Sequence, residues 1–366
     1  MSLVVPSSPL NLTSSLKQLS LRDCSLQGNF PSQVFQLPSL QLIDLSCNYN
    51  LGDLQNNRLT GLIDHVEIPN LILQEVHLSK NEISGSIPSF FFHLVNLTRV
   101  DLSSNNLSGT VTPSMLSKLV NLRDLDLSNN SLWSLSNNGT VVNYSFSNLG
   151  SLKFSSCNIH KFPSFLRKAE SLLFLDISKN KVSGQIHKLE IEGMSLFNLN
   201  LSYNFLTGID FFDIGNLETI DLKSNLLQGS LPILSTTWGY MEQLYISGNN
   251  LTGEIPSSYC SLTSLKVLVL ANNSLGGKIP KCLGSLGVLF ILDLQMNEFH
   301  GRIPNSFVNM NEMRTLYLNR NQLEGILPRS LVNCSKLEIL DVGKNNLNDT
   351  FPHWLGVLPS LKVLIL

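Results

Sequence analysis

Residues 249–256 read NNLTGEIP, and the same outline returns as NSLGGKIP (273–280), NEFHGRIP (297–304), NQLEGILP (321–328) and NNLNDTFP (345–352). A segment that recurs every 24 residues constrains the fold more than any bulk property. Each unit is too short to bury its own apolar side, so units must stack, and an array of stacked units grows along one dimension. The 366 residues therefore do not divide into domains by length alone.

Extending the register backwards gives the pattern Leu-x-x-Leu-x-Leu-x-x-Asn-x-Leu, with a ladder position held by Cys24, Asn48, Asn81, Asn105, Asn130, Cys157, Asn180, Asn204, Asn225, Asn249, Asn273, Asn297, Asn321 and Asn345. In SLKVLVLANN (264–273), Leu268 and Leu270 point inward from a short strand, Leu265 leads in, and Val269 and Ala271 point outward. Stacked strands lie roughly 4.8 Å apart, which joins the leucines into one column. The ladder amide is expected to bond to backbone groups of its own and the next turn that burial would otherwise leave unpaired. Cys is expected to substitute for it. After the ladder residue, Leu-x-Gly-x-Ile-Pro continues the coil: Gly takes a backbone conformation other residues resist, and Pro ends the extended piece. The rest of each unit closes the outer side as a short helical or irregular run.

The expected fold is an α/β repeat solenoid. It is a curved right-handed superhelix with a parallel β-sheet on its concave face and short helical or irregular segments on its convex face. One array over 1–366 contains about 14 repeats and an incomplete last one, without caps. The register breaks near 49–66, where Asn48 and Asn81 are 33 residues apart and QNNRLTGLIDH (55–65) holds a partial motif at Asn57, Leu59 and Gly61. Two readings fit, a nine-residue insertion in one coil or a coil that has lost about fifteen residues; the second is adopted here. A polar bulge is expected near 133–148, and the spacing contracts to 21 between Asn204 and Asn225. The terminal LPSLKVLIL (358–366) is expected to leave an open apolar face.

Several function classes are excluded. A net charge of −2 and pI near 6.4 provide no clustered positive field for nucleic acid. The longest apolar stretch, LGSLGVLFILDL (283–294), falls short of a membrane span. The start, MSLVVPSSPLNLTSS, has no basic region or apolar core of an export signal. No nucleophile elbow, phosphate loop, dinucleotide fingerprint or zinc-protease motif occurs, and the seven histidines fall at unrelated positions. An Asp recurs between the last two strand leucines (Asp44, Asp101, Asp126, Asp176, Asp221, Asp293, Asp341), which fits a surface consensus better than a cation ribbon. The chain is expected to be no enzyme, with no cofactor or metal.

Cys260 and Cys282 fall on the outer side of successive coils, at a spacing compatible with a disulfide in an oxidising compartment. Eleven Asn-x-Ser/Thr sequons, at Asn11, Asn96, Asn106, Asn129, Asn138, Asn143, Asn200, Asn250, Asn272, Asn333 and Asn348, support a secreted history and are candidate glycosylation sites. The outward strand positions can vary without harming the core, so a binding function belongs there. Candidate ligand-binding residues are His77, Arg99, Arg123, Phe197, Tyr203, Tyr245, Phe290, Arg314, Tyr317 and Arg320, of types common among binding anchors.

The Leu-x-Gly-x-Ile-Pro form resembles the plant-type extracellular leucine-rich repeat of receptor-like kinases, receptor-like proteins and polygalacturonase-inhibiting proteins. The phrases SSCNIHKFPSFLR (155–167), LNLSYNFLTG (199–208), IPSSYCSLTSLKVLVLANNSLGGKIPKCLG (255–284) and DTFPHWLGVLPSLKVLIL (349–366) resemble the middle of a plant receptor-like protein of the disease-resistance type. That resemblance implies an ectodomain at the plasma membrane, on its extracellular side. It would bind a peptide, protein or glycan ligand, pathogen-derived or endogenous, and signal through partner receptor kinases in defence or development. The family's signal peptide, paired-Cys cap, island, membrane helix and tail are not in this sequence, so the resemblance makes the chain an internal piece of such an ectodomain. A secreted inhibitor of microbial wall-degrading enzymes and a non-functional truncated receptor stay open as alternatives.

Overall fold

The structure, a computed structural model, describes residues 14–47, 59–67, 71–133, 146–191, 193–210, 216–233, 239–307 and 310–366. Ladder position Asn48, the partial-motif Asn57, the sequons Asn11, Asn138 and Asn143, and most of the expected bulge lie outside them. The chain forms two compact units. The first is Met1–Val182 with Leu189–Ser195, and the second is Ser183–Lys188 with Leu196–Leu366.

Three-residue strands, one per turn, pair in parallel in each unit. The first unit holds Gln18–Ser20, Leu42–Asp44, Glu75–His77, Arg99–Asp101, Asp124–Asp126, Ser151–Lys153 and Phe174–Asp176. The second holds Asn198–Asn200, Thr219–Asp221, Gln243–Tyr245, Val267–Val269, Ile291–Asp293, Thr315–Tyr317, Ile339–Asp341 and Val363–Ile365. Register is set by the apolar middle residue of each strand: Leu244, Leu268, Leu292, Leu316 and Leu340 align in one row and all are buried. A one-residue slip would turn that row outward, so burial pins the alignment.

The ladder residues tie the turns together. Asn249 Nδ2 donates to its own turn at Ile246 O (3.0 Å) and to Leu222 O of the preceding turn (3.0 Å), while Oδ1 accepts Leu227 N–H at 3.0 Å. The amide thus reaches back to the preceding turn rather than forward to the next, and the same scheme recurs at Asn105, Asn130, Asn225, Asn297 and Asn321. At Asn81 the Oδ1 is buried with no partner among the described residues. Cys157 keeps the donor half of the scheme only in part, its thiol reaching Leu127 O at 3.1 Å and Ser155 O at 3.5 Å. Ser25 and Asn158, which follow the two ladder cysteines, take left-handed φ of 53° and 56°. Cys therefore alters the local path instead of simply replacing Asn.

Past the ladder position a second set of short parallel strands forms, for example Gln228–Ser230, Asn250–Gly253 and Ser274–Leu275. The repeat glycine supplies the turn: Gly325 has φ +80°, and a Cβ there would lie 3.1 Å from Arg302 Cγ. Pro does more than end this strand. Pro31, Pro88, Pro163, Pro256, Pro280, Pro328 and Pro352 each immediately precede a five-residue 3₁₀-helix, such as Ser257–Ser261 after Pro256. These helices bury large side chains, including Phe35, Phe90, Phe91 and Tyr259, and the Phe35 ring lies 5.4 Å from Phe90 and 6.0 Å from Phe91.

One expectation is overturned near residue 59. Leu42–Asp44 pairs directly with Glu75–His77, so no strand of a damaged coil separates them. Leu59–Thr60 pairs with Gly28–Asn29 and takes the second-strand place of the same turn, with Gly61 at φ +83°. The 33-residue interval is one coil carrying an insertion; Leu59, Ile63 and Val66 are buried because they are its ordinary inward residues.

Candidate functional site

Burial alternates through each strand: in Gln243–Tyr245 and Thr315–Tyr317 the middle residue is buried and its two neighbours are half-buried, which makes the neighbours the outward face. The residue two before the ladder position is buried where it is Ser46, Ser79, Ser128, Ser178, Ser202 or Ala271, and half-buried where it is larger, as at Lys223, Gln295 and Asn319. The recurrent Asp has a backbone role. Its Oδ1 accepts the N–H two residues on, at 3.0 Å from Asp101 to Ser103 and from Asp221 to Lys223, capping the strand exit. Asn200 does the same for Ser202. No group of three metal-ligating side chains occurs among the described residues.

The residue just before the ladder position is left-handed throughout, whatever its type: Asp23, Lys80, Ser104, Asn129, Lys179, Tyr203, Ser224, Asn272, Met296, Arg320 and Lys344 have φ of 51–55°. This conformation is disfavoured for side chains with a Cβ. It is held by bonds on both sides: Arg320 N–H donates to Gly343 O (2.9 Å), and Arg320 O accepts from Asn297 N–H (3.2 Å). Arg320 is thereby presented from a fixed position, and Tyr203 is held on one side by its N–H bond to Lys223 O at 2.8 Å.

The candidate residues fall in both units. In the first, Glu75 lies between His77 (Nε2–Oε2 3.2 Å) and Arg99 (3.8 Å), and Arg99 Nε reaches Asp124 at 3.1 Å, a partly exposed chain of polar contacts across three strands. Arg123 is exposed and holds the next turn through its carbonyl, which accepts Gly150 and Ser151 N–H.

In the second unit, the outward residues around Tyr203 and Tyr245 converge on Lys223. Its Nζ lies 5.8 Å from the ring centroid of Tyr203, 5.8 Å from that of Tyr245 and 2.9 Å from Asp221 Oδ2. Tyr245 Oη donates to Gln243 Oε1 at 3.0 Å, which fixes the ring's tilt. The Asp221 hydrogen bond raises the Lys223 pKa, and burial with Asp221 nearby raises that of Tyr245, which keeps Lys223 an ammonium and the Tyr245 phenol neutral at neutral pH. Lys223 was not among the residues singled out from the sequence. Its signal was legible: Ser202, Lys223, Ser247, Ala271, Gln295, Asn319 and Gly343 share one position of successive turns, and Lys223 is the charged member.

Along the edge of the same sheet, the residues that precede each strand form a second row. Glu242 pairs with Lys266 and Glu338 with Lys362, each at 2.6 Å. Phe290 and Arg314 occupy the places between these pairs, and Arg314 N–H donates to Phe290 O at 2.9 Å. The hydrogen bond from Lys362, helped by the Arg314 charge, lowers the Glu338 pKa. Phe197 starts the row, its carbonyl accepting Glu218 and Thr219 N–H. Tyr317 pairs in register with Asp293 and Asp341.

Elsewhere, Cys260 and Cys282 are joined by a disulfide with Cα atoms 5.5 Å apart. Of the sequon asparagines described, Asn96, Asn106, Asn129, Asn250, Asn272, Asn333 and Asn348 are exposed, and Asn200 is half-buried on the outward face. Among the described residues no helix is long and apolar enough to cross a membrane.

These features define a leucine-rich-repeat binding module. Family models described as leucine rich repeat match residues 72–132 and 311–366, and 195–217, 240–262 and 264–286. Receptor-like protein 54 of Arabidopsis thaliana is 33% identical over 205 residues, 55% of this chain and 24% of that protein. Receptor like protein 24 of the same plant is 34% identical over 255 residues, 61% of this chain and 28% of the relative. The chain belongs to the leucine-rich-repeat family and is similar to plant receptor-like proteins, its matched part spanning about a quarter of the length of these two. Solved structures agree. The plant peptide hormone receptor RGFR1 in complex with RGF2 superposes with a TM-score of 0.74 at 26% identity, covering 95% of this chain and 58% of that one. A TDR receptor structure gives a TM-score of 0.76 at 26% identity, with 97% and 64% covered.

Proposed function

We propose that this chain is the ligand-binding part of a plant cell-surface receptor, facing the cell exterior at the plasma membrane. It senses a pathogen-derived or endogenous peptide, protein or glycan and signals through partner receptor kinases in defence or development. The observation that carries this reading is the convergence of Tyr203, Asp221, Lys223 and Tyr245 on the outward face of a sheet whose backbone is bonded turn to turn. Aromatic and charged anchors on a rigid support are what selective binding requires. The relation to plant receptor-like proteins, and the peptide complex named for RGFR1, point the same way. The role is binding, not catalysis, and the exposed sequon asparagines are its glycosylation sites.

Panning a random-peptide phage library against the folded chain tests this. Peptides sharing a motif are expected to emerge, and their binding is expected to fall at least tenfold, about 1.4 kcal/mol, in Tyr245→Ala and in the double change Tyr317→Ala with Arg320→Ala. Equal binding by these variants, with circular dichroism unchanged, would remove the outward face from consideration.

A further inference from the structure

The Lys223 cluster admits two opposite uses. As an anion site, Lys223 would be the ligand contact. Its ammonium already has a carboxylate 2.9 Å away, and it lies between two rings whose faces carry negative potential. An incoming anion would have to displace Asp221 and approach ring faces that repel it. As a cation site the balance reverses. Asp221, the Tyr203 ring and the Tyr245 ring all attract positive charge, and only the tethered ammonium stands in the way. Lys223 is a long flexible side chain in a row filled by serine in the two adjoining turns, and its side chain is 37% exposed, so it has room to swing out. Tyr203 is 47% exposed and opens the cage on one side.

We propose that Tyr203, Asp221 and Tyr245 form a subsite for a guanidinium or ammonium group of the ligand, and that Lys223 is its built-in occupant, displaced on binding. The cage then selects ligands with a basic side chain, and Lys223 sets the threshold by competing for the same place. This deepens the reading of the outward face as the recognition surface and names the chemistry it takes. A built-in competitor lowers apparent affinity by the fraction of time it leaves the cage open.

Two substitutions isolate the parts while preserving the fold. Lys223→Ser installs the residue found at the same position in both neighbouring turns. Asp221→Asn keeps the Oδ1 acceptor for Lys223 N–H, as Asn200 does for Ser202 at 3.1 Å, and removes only the charge. The probes are Nα-acetyl-arginine methylamide, Nα-acetyl-lysine methylamide and Nα-acetyl-glutamate methylamide, titrated by ligand-observed NMR. Lys223→Ser is expected to bind at least one basic probe about tenfold more tightly than the unmodified chain. Adding Asp221→Asn or Tyr245→Ala to it is expected to abolish the gain, and the two basic probes report whether the cage prefers guanidinium or ammonium. Tightening of neither basic probe in Lys223→Ser overturns the proposal, as does glutamate binding that is lost with Lys223. Single blocked amino acids test this cage alone, whereas the phage selection accepts any occupant of the face, so the two readings fail separately.

Discussion

Asn249 and Leu222 are 27 residues apart in sequence, yet the Asn249 side-chain amide donates to the Leu222 carbonyl at 3.0 Å. Three further bonds of the same side chain, to Ile246, Ser247 and Leu227, are made inside the stack, away from water. Replacing Asn249 by Ala leaves buried carbonyls and one N–H unpaired, a loss of about 3 kcal/mol. Chemical denaturation is expected to show this, with hydrogen exchange accelerating first in the turns on either side. A loss under about 0.5 kcal/mol would mean that water takes over the amide's role.

The Cys260–Cys282 bridge closes a loop with a sequence separation of 22. Loop-closure entropy assigns such a bridge about 3 kcal/mol. In a stacked array that stabilisation is local, because each turn contacts only its neighbours. Reduction, or Cys260→Ser with Cys282→Ser, is expected to raise hydrogen exchange at 257–285 while leaving the first unit unchanged. Uniform acceleration throughout the chain would contradict this.

The buried thiols should be inert. Desolvation pushes Cys157 and Cys334 up from 9.0 to about 12, so at pH 8 hardly any thiolate exists. Iodoacetamide is expected to modify both only after unfolding. The sign for stability follows: a folded-state pKa above the unfolded value favours the folded chain below pH 9, and that contribution declines as pH rises from about 9 to about 12. Fast alkylation of Cys157 in the native chain would show that its turn opens.

Tyr259 is fully buried and its hydroxyl has no hydrogen-bond partner among the described residues. Tyr259→Phe removes an unpaired polar atom and keeps the ring, so the variant is expected to be as stable as the parent or up to about 1–2 kcal/mol more stable. A clear loss in thermal melts would reveal a bond the packing conceals.

Expression in plant cells followed by peptide mass spectrometry checks the glycans. Asn250, exposed at the start of its strand, is expected to be occupied. Asn200 is expected to stay bare, because it is half-buried on the sheet and its Oδ1 holds Ser202. Full occupancy at Asn200 would place a glycan beside Tyr203 and count against ligand binding there.

The sequence carried much of this architecture because leucine at fixed spacing leaves one geometry in which it can be buried, as the aligned row from Leu244 to Leu340 demonstrates. It misled near residue 59, where motif counting could not tell an inserted segment from a lost coil; only strand pairing between Leu42–Asp44 and Glu75–His77 decides that. It also could not say which way the ladder amides reach, since either neighbour offers similar backbone groups. At the candidate site, Tyr203 and Tyr245 stood out by residue type, but their meeting over Lys223 depends on side-chain directions that spacing does not encode.

The left-handed residue before each ladder position has a consequence for change over generations. Aspartate, lysine, serine, tyrosine, methionine and arginine all occupy that place with nearly the same φ, and at Ser104, Asn272, Met296 and Arg320 hydrogen bonds to both adjacent turns hold it. Side-chain identity there is uncoupled from backbone shape. A mutation can therefore rewrite what the surface recognises while the scaffold beneath it stays put, leaving new specificities to be explored one side chain at a time.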